Sequence, residues 1–224
     1  MKKTVSILLA GMFLVNGCAN MTNTQRGTAA GGATGAVVGA AAGGLIGGSG
    51  KGALIGALIG GAVGAGTGAI IGKKMDKKAA ELAELENAKV ETVTDANGLE
   101  AIKVTFNSGI LFATGKSDLS AVSKTELLNF VNKMKDMPDT DLAIYGHTDN
   151  TGSDAINERL SAERALAVAD YLKYCGMAAG RMTATGLSYK EPVASNDTAE
   201  GRAQNRRVEI YIFANEAMIK AAGN

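Results

Sequence analysis

One arginine and one aspartate in this 224-residue chain have positions that indicate chemistry, and that chemistry is the binding of charge. When residues 154–174 are placed on a helix, Ile156 and Val168 share one arc, and Arg164 falls on the same apolar arc. A guanidinium turned toward a core needs an anion, because an unpaired buried charge is strongly destabilising. Asp149, in the glycine-bounded loop before this helix, is the natural candidate. These residues alone leave two interpretations open, an internal salt bridge or a contact to a ligand.

The sequence carries no motif of a known catalytic, metal or nucleotide site. His147 is the only histidine, and neither G-x-S-x-G, H-E-x-x-H nor a G-x-G-x-x-G after a strand accompanies it. Gly146 and Gly152 are interpreted as turn formers, and Cys175 as a small buried hydrophobe rather than a reactive thiol. We therefore predict a protein that is not an enzyme and that has no catalytic residue, metal or cofactor.

The helix over 154–174 belongs to an alternation of strand and helix patterns. Strands are predicted over 100–106, 142–146, 181–188 and around 208–212, with polar loops over 107–116 and 194–204. A second helix is capped by Ser120, turns Leu127, Phe130, Val131 and Met134 inward, and is ended by Pro138. The order β-α-β-α-β-β predicts an α/β domain of the α+β sandwich type. It has two helices on one face of a mixed four-stranded sheet.

A glycine-rich segment over residues 28–74 precedes this domain. Its glycines recur every four residues from Gly35 to Gly47 and again from Gly52 to Gly72. Such stripes let two helices approach closely, so we predict a glycine-zipper helical hairpin with a turn near 48–51. The hairpin either associates with a membrane or with other copies, or the segment is a flexible linker. Residues 75–90 are predicted to form a helical linker. Its basic start, at Lys73, Lys74, Lys77 and Lys78, either contacts anionic head groups or is solvated.

The first residues have the pattern of an export signal. Lys2 and Lys3 precede an apolar run of about ten residues, which is too short to span a bilayer, and a small residue lies before Cys18. The run into Cys18 resembles a bacterial lipobox, which implies a signal peptide over 1–17 and a lipidated Cys18 that opens a tether over 18–27. Residues 19 and 20 lack the Asp that retains enterobacterial lipoproteins in the inner membrane. The resemblance therefore implies the outer membrane.

Three separated motifs give the second half of the chain a family resemblance. Residues 146–152, 157–165 and 196–210 resemble, in this order, the motifs of the OmpA-like peptidoglycan-binding domain, and the resemblance extends over about 98–213. We place this domain at 91–214 and a C-terminal tail at 215–224. With the lipobox and the glycine zipper, the chain is similar to YiaD-type outer-membrane lipoproteins.

The resemblance implies a ligand and a role for individual residues. OmpA-like domains hold the free end of meso-diaminopimelate in the peptidoglycan stem peptide, which bears one ammonium and one carboxylate. Asp149 matches the position that takes the ammonium, and Arg164 matches the one that grips the carboxylate with its planar fork. Thr151 and Asn157 match supporting hydrogen-bond positions, and Arg206 matches a further carboxylate contact.

These expectations define one principal function and two alternatives. The principal function is a noncovalent tether between the outer membrane and the cell wall, lipid-anchored on the periplasmic face. In the first alternative, the glycine-zipper hairpin makes the chain a membrane-active or oligomerising assembly protein. In the second, the chain is the wall-anchoring subunit of a larger machine. Nucleic acid is not an expected partner, because the net charge of +1 leaves no basic surplus.

Overall fold

The computed structural model describes residues 65–95 and 98–224. The expected signal peptide, Cys18, the tether and the hairpin up to residue 64 lie outside the described residues. Within the described ranges, no helix combines the length and the apolar character needed to cross a bilayer. The structure therefore describes the last residues of the predicted hairpin, the predicted linker, the predicted domain and the tail.

The described chain forms a series of helices and strands. They are α1 (Ala65–Leu82), β1 (Ala88–Thr94), β2 (Glu100–Asn107), α2 (Ser108–Leu111), α3 (Ala121–Lys133), β3 (Thr140–Gly146), α4 (Asp154–Tyr174), β4 (Met182–Gly186), α5 (Ala199–Asn205), β5 (Arg207–Ala214) and α6 (Glu216–Gly223). The four predicted strands and the two predicted long helices are all present.

The strands form one mixed sheet in the order β1-β2-β5-β3-β4. Among the described strands, only β3 and β4 pair in parallel, and α4 connects them, because parallel strands need a crossover connection, which is usually a helix. The predicted cap of α3 is confirmed, since Ser120 accepts a hydrogen bond from the Ser123 amide. The inward residues of α3 pack with Val168 of α4 in the main core between the helices and the sheet. The predicted fold class is confirmed.

Strand β1 was not predicted, and it makes the described sheet five-stranded rather than four-stranded. It pairs antiparallel with β2 over its whole length, from Ala88 opposite Phe106 to Thr94 opposite Glu100. All residues of β1 are half-buried or exposed, and its apolar residues do not alternate regularly with polar ones. The sequence therefore lacks the pattern that indicates a strand. Pairing with the neighbouring strand, which the sequence pattern does not report, determines this edge strand.

Helix α1 runs without interruption across residue 74, where the sequence analysis placed the change from hairpin to linker. Ile71, Met75 and Leu82 lie along one side and are completely buried in the main core. Lys78 lies on the same side and is buried too. Its ammonium donates to the Lys133 carbonyl at 2.7 Å and to Asp136 at 2.6 Å, and it also bonds Glu81. The first half of the predicted linker is therefore helical and docked on the domain. The prediction of a helix is wrong for its second half, because α1 ends at Leu82 and β1 begins at Ala88.

The four lysines of α1 divide between the two sides of the helix. Lys78 is buried, so it is not available to a lipid head group, whereas Lys73, Lys74 and Lys77 are exposed. The two interpretations of the basic run remain open for the three exposed lysines only.

Three further helices lie in stretches that were predicted to be a loop or a tail, α2 in the first predicted loop, α5 in the second and α6 in the tail. Helix α6, in the predicted tail, is capped by Asn215 and buries Met218 and Ala222 beside α1. Helix α5, in the predicted polar loop, is capped by Thr198, which accepts a hydrogen bond from the Gly201 amide. Helices α5 and α6 are short, with seven and eight residues, so capping and tertiary packing determine them rather than a long periodic pattern.

Candidate ligand-binding site

A cavity of about 420 Å³ opens beside the end of β3 and contains the predicted site residues. Four chain segments form it: the turn after β2, the loop after β3, the first half of α4, and α5 with the residue that follows it. Its lining residues are Ser108, Gly109, Phe112, Ala113, Thr114, Gly115, Thr148, Asp149, Thr151, Ile156, Asn157, Leu160, Arg164, Arg202 and Arg206. The fold therefore brings together all five residues that the family resemblance assigned to the ligand.

Asp149 is buried in the loop between β3 and α4, and donors surround its carboxylate. Oδ1 accepts from the Thr151 amide at 2.9 Å and from the Thr151 hydroxyl. Oδ2 accepts from Nη1 of Arg206 at 2.5 Å. Burial acts to raise the pKa of Asp149, but the hydrogen bonds from Thr151 and Arg206 outweigh it and hold the pKa below its usual value. Asp149 is therefore ionised at neutral pH and can bind a cation.

Arg164 lies on α4, on the side that the helical periodicity predicted, and only 3% of it is exposed. Its Nε donates to the Lys116 carbonyl at 3.0 Å, and its guanidinium lies 5.2 Å from the centre of the Phe112 ring. Burial lowers the pKa of Arg164, the positive charge of Arg206 lowers it further, and Asp149 only partly compensates. The surroundings of this guanidinium therefore disfavour its charge.

The interpretation of Asp149 and Arg164 as an internal salt bridge is wrong. In the described part of the chain, Arg164 has no carboxylate within 4.0 Å, and Asp149 pairs with Arg206 instead. Arg206 follows α5, and its backbone carbonyl accepts from the Ser108 amide at 2.9 Å, which fixes it next to the loop of Asp149. Helical periodicity identified a buried cation correctly but could not identify a partner that comes from a distant segment.

Thr151 and Asn157 hold the Asp149 loop in shape. Thr151 provides two of the hydrogen bonds to the carboxylate, and the side-chain amide of Asn157 donates to the Thr151 carbonyl at 3.0 Å. Between them, Gly152 has φ +88°, a conformation that glycine adopts without strain, so the turn interpretation of this residue is confirmed. Both predicted residues therefore position Asp149.

Gly146 has a different role from the one predicted. Its φ is negative, and a Cβ at this position would collide with the Ser161 carbonyl of α4. Gly186, the parallel neighbour of Gly146 across β3 and β4, meets the Ala162 backbone in the same way. The two glycines let α4 approach the strand ends, which brings Arg164 to the loop of Asp149. Close packing, and not a turn, requires glycine at residue 146.

Ile156 was placed on the buried arc of α4, but 50% of it is exposed. It lines the cavity beside Asn157, in the first turn of the helix, where residues 154–156 are all exposed. An apolar side chain at the edge of a polar cavity suits contact with the aliphatic part of a ligand. The helical periodicity identified the inward face of α4, but it could not show that this face is exposed in the first turn.

Arg202 is a cavity residue that the sequence analysis missed. It lies on α5, and its Nη1 donates to the carbonyls of Asn196 and Asp197 at 2.8 and 3.1 Å. Among the described residues that line the cavity, three arginines therefore face one carboxylate, that of Asp149. The excess positive charge suits a ligand with more than one anionic group or a carboxylate beside an ammonium.

The described residues contain no group of three or more His, Cys, Asp and Glu side chains that could hold a metal ion. The cavity chemistry is that of charge-assisted hydrogen bonding. Guanidinium groups can bind a carboxylate through parallel N–H bonds, and the Asp149 carboxylate can bind an ammonium.

Two family matches divide the chain. Residues 1–76 match the model of the YMGG-like Gly-zipper family, and residues 111–206 match that of the OmpA family. The second match includes Asp149, Arg164 and Arg206. The chain contains an OmpA family domain. Its cavity, with all five predicted contact residues, lies within or at the border of the matched region.

Known relatives of the OmpA family domain include proteins of several architectures. Peptidoglycan-binding protein ArfA of Mycobacterium tuberculosis is 53% identical over 88 residues, which are 39% of this chain and 27% of ArfA. Probable lipoprotein YiaD of Escherichia coli is 36% identical over 138 residues, which are 62% of each chain. The match thus spans less than two thirds of the length of either relative.

A solved structure confirms the architecture of the OmpA family domain. The cell wall anchor of the T6SS from Pseudomonas aeruginosa superposes with a TM-score of 0.54 at 33% identity. The superposition covers 63% of this chain and 97% of the anchor. The sheet with helices on one face is therefore shared by nearly the whole of that solved chain.

Proposed function

We propose that this protein is an outer-membrane lipoprotein whose OmpA family domain binds the peptidoglycan stem peptide noncovalently. In this function the lipid on Cys18 holds the chain in the membrane, and the cavity around Asp149 and Arg164 holds the cell wall. The protein thereby tethers the membrane to the wall.

The single observation that carries this proposal is the unneutralised charge of the cavity. Arg164 is buried without a carboxylate partner in the described part of the chain, and the nearby charge of Arg206 opposes its own. A ligand carboxylate placed between the two guanidinium groups removes that repulsion and adds charge-assisted hydrogen bonds. The free protein is therefore arranged for an anion that the described chain does not supply.

The free end of meso-diaminopimelate has the matching chemistry, since one carbon carries an ammonium and a carboxylate. In our proposal Asp149 binds the ammonium and Arg164 binds the carboxylate, with Arg206 as a second carboxylate contact. Arg206 then has to shift part of its bonding from Asp149 to the ligand. Thr151 and Asn157 keep the Asp149 loop in place, and the exposed Ile156 contacts the aliphatic chain of the ligand.

The names of the relatives support the same class of function. ArfA is named a peptidoglycan-binding protein, YiaD a probable lipoprotein, and the superposed Pseudomonas structure a cell wall anchor. These names, with the lipobox at Cys18 and the absence of Asp at residues 19 and 20, support an anchor in the outer membrane.

Cosedimentation with two kinds of cell wall tests the ligand. The full chain, purified in detergent, is mixed with sacculi whose stem peptides contain meso-diaminopimelate or, in the matched sample, lysine. Lysine lacks the side-chain carboxylate, so we expect binding to the first wall and about tenfold weaker binding or none to the second. Equal binding to both walls would refute recognition of the carboxylate, and binding to neither would refute the proposed function.

A control variant separates the cavity from general charge. Arg159, also on α4, is exposed and pairs with Glu163 at 3.0 Å, away from the cavity. We expect Arg159→Ala to bind the diaminopimelate wall like wild type, whereas Asp149→Ala and Arg164→Ala lose binding. Circular dichroism checks that all three variants keep the fold.

The Gly-zipper match supports a second candidate function, assembly through the hairpin. Deletion of residues 28–64 leaves all described residues in place, so wall binding is expected to persist. If the envelope defect of a deletion strain is rescued by this shortened chain, tethering is the main role. If wall binding persists without rescue, the hairpin carries the cellular function.

A further inference from the structure

Two buried hydroxyl groups in the wall of the cavity have no hydrogen-bond partner among the described residues. They are Oγ of Ser108 and Oγ1 of Thr148, in residues that are 2% and 4% exposed. Both residues line the cavity, on the turn after β2 and on the loop after β3. Neither residue was selected by the sequence analysis.

A buried hydroxyl without a partner is costly, because it loses its hydrogen bonds to water and gains none in return. Native proteins satisfy the large majority of such groups, and each exception calls for a specific explanation. Ser and Thr hydroxyls turn about a single bond and both donate and accept. They can therefore bond a ligand atom that enters the cavity.

The backbone places each of these two residues beside one of the charged residues of the cavity. The Ser108 amide donates to the Arg206 carbonyl at 2.9 Å, so Ser108 is adjacent to the second carboxylate contact. Thr148 directly precedes Asp149, and its amide donates to the Ser188 carbonyl at 3.0 Å. In the binding mode proposed above, Ser108 therefore lies on the side of the ligand carboxylate and Thr148 on the side of the ligand ammonium.

We propose that Ser108 and Thr148 are ligand contacts, which complete the polar surroundings of an amino-acid head group in the cavity. Ser108 donates to the ligand carboxylate, and Thr148 accepts from the ligand ammonium. This inference rests on the proposed function, since it adds two specificity-determining residues to the same site. The ligand supplies the partners that both hydroxyls lack in the free protein.

Ser188 provides a matched control. Its hydroxyl is also buried without a partner among the described residues, yet Ser188 does not line the cavity. Removal of its hydroxyl therefore changes the same kind of atom without changing a ligand contact. A general effect of deleting buried hydroxyls would appear in Ser188→Ala as well.

Titration calorimetry of the full chain with a soluble stem tripeptide containing meso-diaminopimelate tests the inference. The variants are Ser108→Ala, Thr148→Val, Thr148→Ser and Ser188→Ala, with Arg164→Ala as the reference for loss of binding. We expect Ser108→Ala and Thr148→Val each to weaken binding about tenfold, because each loses a hydrogen bond to a charged group. Thr148→Ser and Ser188→Ala are expected to stay within about threefold of wild type.

The stability of the free protein separates a ligand contact from a structural role. If the hydroxyls lack partners until the ligand binds, then Ser108→Ala and Thr148→Val leave the unfolding midpoint in urea unchanged or raise it. Weaker binding together with unchanged or higher stability supports the inference. Unchanged binding in both variants overturns it, and so does a lowered midpoint, which indicates a structural partner such as a buried water molecule.

The two proposals fail in different ways. If the wild type and the variants Ser108→Ala and Thr148→Val bind the tripeptide equally well and Arg164→Ala does not bind it, the inference is refuted and the proposed function stands. Wild type that does not bind the tripeptide refutes both.

Discussion

Two buried cations of this protein, Arg164 and Lys78, have the same exposure and opposite surroundings. Each is 3% exposed. Lys78, where α1 docks on the domain, bonds two carboxylates and a backbone carbonyl. Arg164, in the cavity, bonds one carbonyl and has no carboxylate within 4.0 Å among the described residues. Burial alone therefore does not distinguish a structural charge from a binding charge.

Their pKa shifts express the same difference. Burial acts to lower the pKa of Lys78, but Asp136 and Glu81 outweigh it, so the pKa lies above its usual value. Burial lowers the pKa of Arg164, and the charge of Arg206 adds to the effect. The first charge is satisfied within the fold, whereas the second has no carboxylate partner in the described part of the chain. The comparison predicts that one residue stabilises the protein and the other binds the ligand.

Arg164→Ala is expected to have the largest effect, and on binding alone. Loss of a charge-assisted, two-bond contact should weaken affinity for the diaminopimelate tripeptide about ten- to a hundredfold. The free protein should keep its free energy of unfolding or gain slightly, because a poorly compensated buried charge is removed. Calorimetry and urea denaturation measure the two quantities. A large loss of stability would show that Arg164 is structural and remove the contrast with Lys78.

Lys78→Ala is expected to show the opposite result. The variant breaks the contacts that join α1 to Lys133 and Asp136, so we expect a loss of about 1–2 kcal/mol in the free energy of unfolding. The value stays modest because Asp136 is largely exposed and regains water. Tripeptide affinity should not change. Urea denaturation tests the first expectation, and an affinity loss in a folded variant would link α1 to the cavity.

Arg164→Lys sharpens the contrast by keeping the charge while changing its shape. A lysine ammonium cannot make the two parallel bonds of a guanidinium, and it loses the contact with the Phe112 ring. We therefore expect affinity about three- to tenfold below wild type, between wild type and Arg164→Ala. Affinity equal to wild type would mean that only the net charge of the cavity matters.

The smallest expected effect is a pH dependence at Asp149. Because its pKa is lowered in the folded protein, its ionised form stabilises the fold at pH values above its usual pKa of 3.8, and this contribution disappears as pH falls through the lowered value. The difference in unfolding free energy between wild type and Asp149→Asn should be constant from about pH 5 to 8 and vanish in acid. A difference that grows on acidification would contradict the lowered pKa.

Local sequence patterns were sufficient to predict much of the fold and the position of Arg164 in the site. The 3.6-residue periodicity predicted α4 with Arg164 on its inward side, and a serine cap predicted the start of α3. Both signals act between neighbours along one helix, so they need no knowledge of the rest of the chain. Strand β1 was missed because its half-exposed sequence has no regular apolar alternation, although its partner β2 is the next strand along the chain. Helix α6 was missed because it is short and packs on α1, which is distant in the sequence.

The amino-acid sequence was enough to identify the charged groups, to place Arg164 on the inward face of α4, and to locate glycines at the end of β3 and in the Asp149 loop. Only the tertiary structure decided the pairing. Arg206 reaches Asp149 from 57 positions away, and the Lys116 carbonyl reaches Arg164 from 48 positions away. No local pattern reports such contacts, because they form when separate segments pack around one cavity. The same packing buried the Ser108 and Thr148 hydroxyls without partners in the described chain, and so marked them as residues to test for ligand contact.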